Sequence, residues 1–141
     1  MLTEPPPIAE IISILTRTVA EVQASSLSGF SDLSLRQVTH LEAVARLGHP
    51  TLSEFARELR ISKPSATAAV ERLEQAGYVE KVRSDADRRL FHLHLTPKGH
   101  SLSATHEQVH QFIAGALTAS LSEAEKEQLA LLLNKIIRSL A

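Results

Sequence analysis

The chain has 141 residues, 43% hydrophobic and 22% charged, with a formal net charge of −1. These values fit one globular domain, or a small domain with appended elements. The absence of cysteine excludes disulfides, thiolate metal sites and thiol nucleophiles together. No run of 18 or more apolar residues occurs, so no membrane span is expected, and MLTEPPPIAE lacks the regions of a signal peptide. A cytoplasmic protein is the expectation.

In chain order, residues 1–7 are polar, proline-rich and read as frayed. Ile8, Ile11, Ile12, Leu15, Val19 and Val22 then form a helical apolar stripe that ends in the loop composition SSLSGFSD. A second helix is expected from Ser34 to Leu47, with Leu35, Val38, Leu41, Val44 and Ala45 inward. Gly48-His49-Pro50 breaks it. Thr51 to Glu54 has the form of a capping box and opens a short third helix with Leu52, Phe55, Ala56 and Leu59 on its apolar face.

Arg60-Ile61 leads tightly into a fourth helix. Ser62 is its N-cap, Pro64 lies in its first turn, and Ala66, Ala69, Val70 and Leu73 are its buried stripe. Its other face holds Lys63, Ser65, Thr67, Ala68, Glu71, Arg72 and Gln75. Short side chains, hydrogen-bonding groups near the tip and one or two cations suit a helix that enters a DNA major groove. An ordinary surface helix would also be amphipathic, so the neighbours decide.

After Gly77 the apolar period falls to two. Tyr78 to Arg83 and Leu90 to Leu95 read as strands joined by the charged turn of residues 84–89, with Phe91, Leu93 and Leu95 on one side. Thr96-Pro97 starts a fifth helix to about Ala119, with Leu102, Val109, Ile113, Ala116 and Leu117 inward. Ser122 to Glu125 is another capping box, and Leu129, Leu132, Leu133, Ile136, Ile137 and Leu140 mark a sixth helix. Residues 51–99 carry +2, against −2 before and −1 after. No internal repeat appears.

Helix, tight turn, helix, glycine, strand, charged turn, strand is a winged helix-turn-helix. The third helix braces the fourth, and Arg88 and Arg89 at the hairpin tip suit a narrow minor groove. The fold class is mainly α with a small β-hairpin wing, flanked by terminal helices. A protein-binding winged helix, or an anti-repressor without direct DNA readout, is the alternative. Catalysis is not expected, because no phosphate loop, nucleophile elbow or Ser–His–Asp arrangement is present.

The run TLSEFARELRISKPSATAAVERLEQAGYVEKVRSDADRRLFHLHLTPKG resembles the MarR family of bacterial transcriptional regulators. The core RISKPSATAAVERLEQAGYVEK, the DRR of Asp87 to Arg89 and LTPKG carry the likeness most. The resemblance implies a homodimeric regulator, more often a repressor, that binds a roughly palindromic double-stranded operator and answers to a small-molecule effector. It divides the chain into a dimerisation helix and loop (1–33), the winged helix-turn-helix (34–99) and C-terminal dimerisation helices (100–141). The three terminal stripes agree, being larger than the winged helix can cover.

By position, Ser62, Lys63, Pro64, Ser65, Thr67 and Ala68 are expected at base edges or nearby phosphates, and Arg72 at a phosphate. Thr51 and Ser53 would donate to the DNA backbone. Asp87 and Arg89 would order the wing tip, and Arg88 or Arg89 would enter the minor groove. Because the recognition helix is lightly charged and carries Glu71, Arg57 and Arg60 are expected to share the electrostatic role with Lys63 and the wing.

Among seven histidines, His106 and His110 stand at i, i+4 and are expected to face inward. They are similar to the paired histidines of the zinc-sensing branch of that family, which would add Glu21 and His40, although His40 is one residue out of register. The competing readings are an effector pocket of His40, His106 and His110 that takes a small molecule, with no metal, or no ligand role. His92 and His94 are expected to be solvated on the outer face of the wing, with His49 in a loop and His100 on the surface.

Overall fold

The computed structural model describes residues 5–30 and 32–140. Of residues 1–7, expected to be frayed, residues 1–4 lie outside them. Six helices and one hairpin follow in the order α1 (Ile8–Ser26), a 3-10 turn (Ser28–Phe30), α2 (Leu35–Leu47), α3 (Leu52–Glu58), α4 (Lys63–Gln75), β1 (Val79–Arg83), β2 (Phe91–Leu95), α5 (Pro97–Thr118) and α6 (Glu123–Leu140).

Local chemistry sets the boundaries. Ser34 and Gln37 form a capping box at α2, and Thr51 and Glu54 form one at α3. Ser122 and Glu125 bond reciprocally at the start of α6, with the Ser122 amide donating to Glu125 at 2.7 Å. Thr96 caps α5 by accepting from the Gly99 amide at 3.1 Å, and its hydroxyl donates to the Gly77 carbonyl at 2.6 Å. Gly77 has φ +80°, a left-handed turn that releases α4 into the hairpin. At Gly99 a Cβ would sit 2.2 Å from the Tyr78 carbonyl oxygen, so only glycine lets α5 cross the strand start so closely.

β1 and β2 pair antiparallel from Val79↔Leu95 to Arg83↔Phe91. Thr51 bridges His92, and the Leu93 amide donates to the Pro50 carbonyl at 2.8 Å, so the segment before α3 adds a one-residue third strand. The core lies where α2, α3, α4, the hairpin and the start of α5 meet. Leu41, Phe55, Ala66, Val70, Leu73, Tyr78 and Leu102 are fully buried there. Each large apolar side chain removed from water contributes on the order of 1.5–3 kcal/mol.

Tyr78 also ties the wing to the N-terminal connection. Its hydroxyl donates to Asp32 at 2.7 Å, Lys98 pairs with the other Asp32 oxygen at 3.0 Å, and the ammonium lies 4.2 Å from the Tyr78 ring centroid.

Four residues expected inward are exposed in this chain: Leu35, Phe91, Ala116 and Leu117. Leu35 opens α2 beside a cleft, Phe91 lies at the wing tip, and Ala116 and Leu117 lie late on α5 beyond the reach of the core. Ala43, not singled out from the sequence, is buried. α1 packs on α5, yet neither α1 nor α6 holds a buried residue. On α6, Leu132, Leu133, Ile136, Ile137 and Leu140 are all exposed.

Candidate nucleic-acid interface

The buried stripe of α4 turns its other face outward. Lys63, Pro64, Ser65, Ala68 and Arg72 are exposed on it. Ser62 accepts from the Ser65 amide at 3.3 Å, and its hydroxyl donates to the Ser65 hydroxyl at 2.8 Å, so the helix tip presents a linked pair of hydroxyls. Thr67 is half-buried and its hydroxyl donates to the Lys63 carbonyl at 3.0 Å. What Thr67 offers outward is therefore a methyl group and lone pairs, not a donor. In α3, Thr51 donates to Glu54 at 3.0 Å inside its capping box, whereas the exposed Ser53 hydroxyl has no partner among the described residues. Ser53 is thus the hydroxyl of that pair still able to donate.

The wing tip is held by its backbone. The Ser84 amide donates to the Leu90 carbonyl and the Leu90 amide to the Asp87 carbonyl, both at 2.9 Å. The Asp87 carboxylate accepts from the Arg89 amide at 2.9 Å. It orders the tip through the main chain, and among the described residues neither Arg88 nor Arg89 forms an ion pair. Both side chains stand exposed. Arg83 lies 5.2 Å from the exposed ring of Phe91, a cation–π contact that stiffens the stem below them.

His92 and His94 are half-buried, each packed against the turn before α3. The turn at Gly48 and His49, both with positive φ, folds back onto the hairpin. His92 Nδ1 donates to the His49 carbonyl at 2.8 Å, and the His49 and His94 rings stack 3.9 Å apart. Burial first, and His49 next, pushes the His94 imidazole below its ordinary pKa.

The structure separates the histidines that the sequence grouped. His106 and His110 line a cleft of about 950 Å³ between α1, α2 and α5, with rings 4.3 Å apart. His106 faces inward and lies 3.5 Å from Glu42, while His110 is exposed and accepts from the Gln23 amide at 3.2 Å. His40 lies elsewhere, in a groove between α2 and α4, edge-on to Phe55. Glu21 is exposed and does not line the cleft. Residues two apart on a helix project about 200° apart, so His40 and Glu42 cannot both face His106, and Glu42 takes the place. Among the described residues no group of three or more His, Asp or Glu side chains is arranged to hold a metal ion. Glu42 and Gln23 also line the cleft and are not singled out by the sequence, because they reach His106 and His110 from other helices and no local pattern marks that contact.

A bracing helix, a tight turn, an exposed second helix and an arginine-tipped hairpin define a winged helix-turn-helix. The model of the MarR family matches residues 31–90. PecS, an HTH-type transcriptional regulator of Dickeya dadantii, is 30% identical over 111 residues, 77% of this chain and 67% of that one. The chain belongs to the MarR family. The transcriptional repressor MprA of Escherichia coli is 38% identical over 93 residues, 62% of this chain, and the match spans half of MprA's length. The crystal structure of Streptococcus pneumoniae FabT in complex with DNA superposes with a TM-score of 0.83 at 28% identity, covering 94% of both chains.

Proposed function

We propose that the protein is a sequence-specific DNA-binding transcriptional regulator, a repressor that binds a palindromic operator as a homodimer. The observation that carries this reading is the exposed tip of α4 beside a wing whose two arginines have no carboxylate partner among the described residues. The relative MprA is a repressor by name, and FabT was crystallised with DNA.

In this reading Ser62, Lys63, Pro64, Ser65, Thr67 and Ala68 meet base edges or adjacent phosphates, and Arg72 and Ser53 meet the backbone. Asp87 holds the tip so that Arg88 and Arg89 reach the minor groove. Thr51 acts through its cap, by fixing α3. The exposed apolar faces of α1 and α6 support pairing of two copies, which places two recognition helices on one duplex. The cleft of Gln23, Glu42, His106 and His110 is where a small-molecule effector would act on both parts. Among the described residues no helix is long and apolar enough to cross a membrane, in keeping with work on cytoplasmic DNA. The protein acts by binding, without catalysis.

The test is selection of bound sequences from random DNA, followed by titration of the selected site with Arg88→Ala/Arg89→Ala. The double variant weakens binding to all DNA and flattens the log–log salt dependence by about 0.9 for each phosphate no longer neutralised. Unchanged affinity would overturn the wing assignment and favour a protein-binding winged helix.

A further inference from the structure

The groove that holds His40 has a volume of about 250 Å³ and carries an electrostatic imbalance. Arg36 stands in the first turn of α2, which contains no acidic residue. A helix start is the positive end of the backbone dipole, where a cation is disfavoured. Arg72 reaches the same groove from α4. Both arginines are exposed, and among the described residues neither pairs with a carboxylate. His40 adds no charge at neutral pH, because burial first, then Arg36 and Arg72, push its pKa down. Its Nδ1 is buried without a partner among the described residues. Two guanidiniums thus line one groove with no carboxylate partner among the described residues, and one of them stands at a helix start, a place where an external anion would be favoured.

The far wall of the groove is Ser65 and Ala68, on the face of α4 assigned to DNA. An anion seated there lies beside the recognition helix, where a DNA strand borders the major groove. We propose that Arg36 and Arg72 together clamp one backbone phosphate of the bound duplex, in the groove between α2 and α4. This rests on the reading of the protein as a DNA binder. The clamp fixes the angle at which α4 enters the groove and reads no sequence itself.

Two residues on one phosphate differ measurably from two residues on two. The experiment titrates the selected operator and an unrelated duplex over a range of salt with wild type, Arg36→Ala, Arg72→Ala, Arg36→Ala/Arg72→Ala and Arg36→Lys. With two protomers on one duplex, a phosphate shared within each clamp predicts that the double variant flattens the salt slope by about 1.8 per dimer, and that the affinity decrements of the single variants do not add. Both duplexes weaken by the same factor. Arg36→Lys keeps the slope and gives up part of the affinity, since a point charge replaces the planar fork. The thermal midpoint of Arg36→Ala stays level or rises, which separates a weaker grip on DNA from a damaged fold. A double-variant slope equal to wild type, with Arg88→Ala/Arg89→Ala still impaired, would overturn the clamp alone. A flattening of about 3.6 per dimer with additive energies would show two separate phosphates for each protomer and overturn the sharing. Wild type that selects no DNA at all would overturn the DNA reading beneath it.

Discussion

The connected core cluster runs from Val38 to Leu102, whereas α1 and α6, nineteen and eighteen residues long, contain no buried residue. Both regions are amphipathic. In the centre the stripes of α2, α3 and α4 close on one another and on the hairpin. At the ends the stripes are equally apolar but remain open: Ile8 is 76% exposed and Ile137 is 64% exposed. A helix whose apolar face meets water gains little from tertiary packing, which is the main source of helix stability in proteins. The central unit is thus specified by its own chain, and the terminal helices by what covers them, which the proposed function takes to be a second copy.

Charge on the open face is the strongest way to break that contrast. Leu132→Asp/Ile136→Asp is expected to yield a particle of one 15.4 kDa chain by light scattering in place of two. Operator affinity should fall by about 10²–10⁴-fold, because two linked half-sites become one. A variant that stays paired and binds like wild type would show that α6 is not the pairing surface. The converse change is Phe55→Ala. This ring is fully buried against the core, and its truncation is expected to cost about 3–5 kcal/mol in a denaturant titration. A cost below about 1 kcal/mol would mean that the central unit relaxes around the gap and is not the stable partner in the comparison.

The same contrast governs what the sequence disclosed. In the centre, Ala66, Ala69, Val70 and Leu73 repeat at helical spacing, Ser62 caps the helix and Gly77 ends it. These signals act within a few residues, so they survive without knowledge of the fold, and every member of that stripe is buried. Leu35, Phe91 and Leu117 obey the same kind of periodicity yet are exposed, because they sit where an element has run past its neighbours. Periodicity identifies a face; it does not say how far along the helix a partner extends. At the candidate site, the outward face of α4 and the arginine tip were legible as patterns. The placement of His40 was not, since one step along a helix turns a side chain by about 100°. The stacking of His94 on His49 was also hidden, because it depends on a left-handed turn bringing residues from two distant segments together.

A smaller change tests how local those signals are. Thr51→Ala removes one half of the α3 capping box, the hydroxyl that accepts from the Glu54 amide at 3.3 Å. The expected cost is about 1 kcal/mol. It is measured as a lower denaturation midpoint with the same slope, and the pairing of two copies should persist because the change lies in the self-sufficient unit. A shift in oligomeric state from Thr51→Ala would show that the two regions are coupled more tightly than their packing implies.

The smallest effect tests the seam between the α2–α3 turn and the wing. The groups facing His94 are His49 on the turn, His92 on its own strand, and Glu80 opposite it in register on β1. Burial, His49 and His92 all disfavour its protonation, while Glu80 favours it, and the balance leaves the folded pKa below the ordinary 6.5. The unfolded chain then takes up a proton more readily than the native state. The stability contributed by the neutral stack is therefore fully present above about pH 6.5 and is lost as pH falls through the folded pKa. His40, lowered mainly by burial, acts in the same direction. Wild type should melt at a lower temperature at about pH 5.5 than at about pH 7.5, and His94→Gln should narrow that difference without abolishing it, because His40 remains. An equal drop in wild type and variant would mean that the His49–His94 stack accepts its proton without strain, and that this turn is held to the wing by the Pro50–Leu93 and His49–His92 hydrogen bonds without help from the stack.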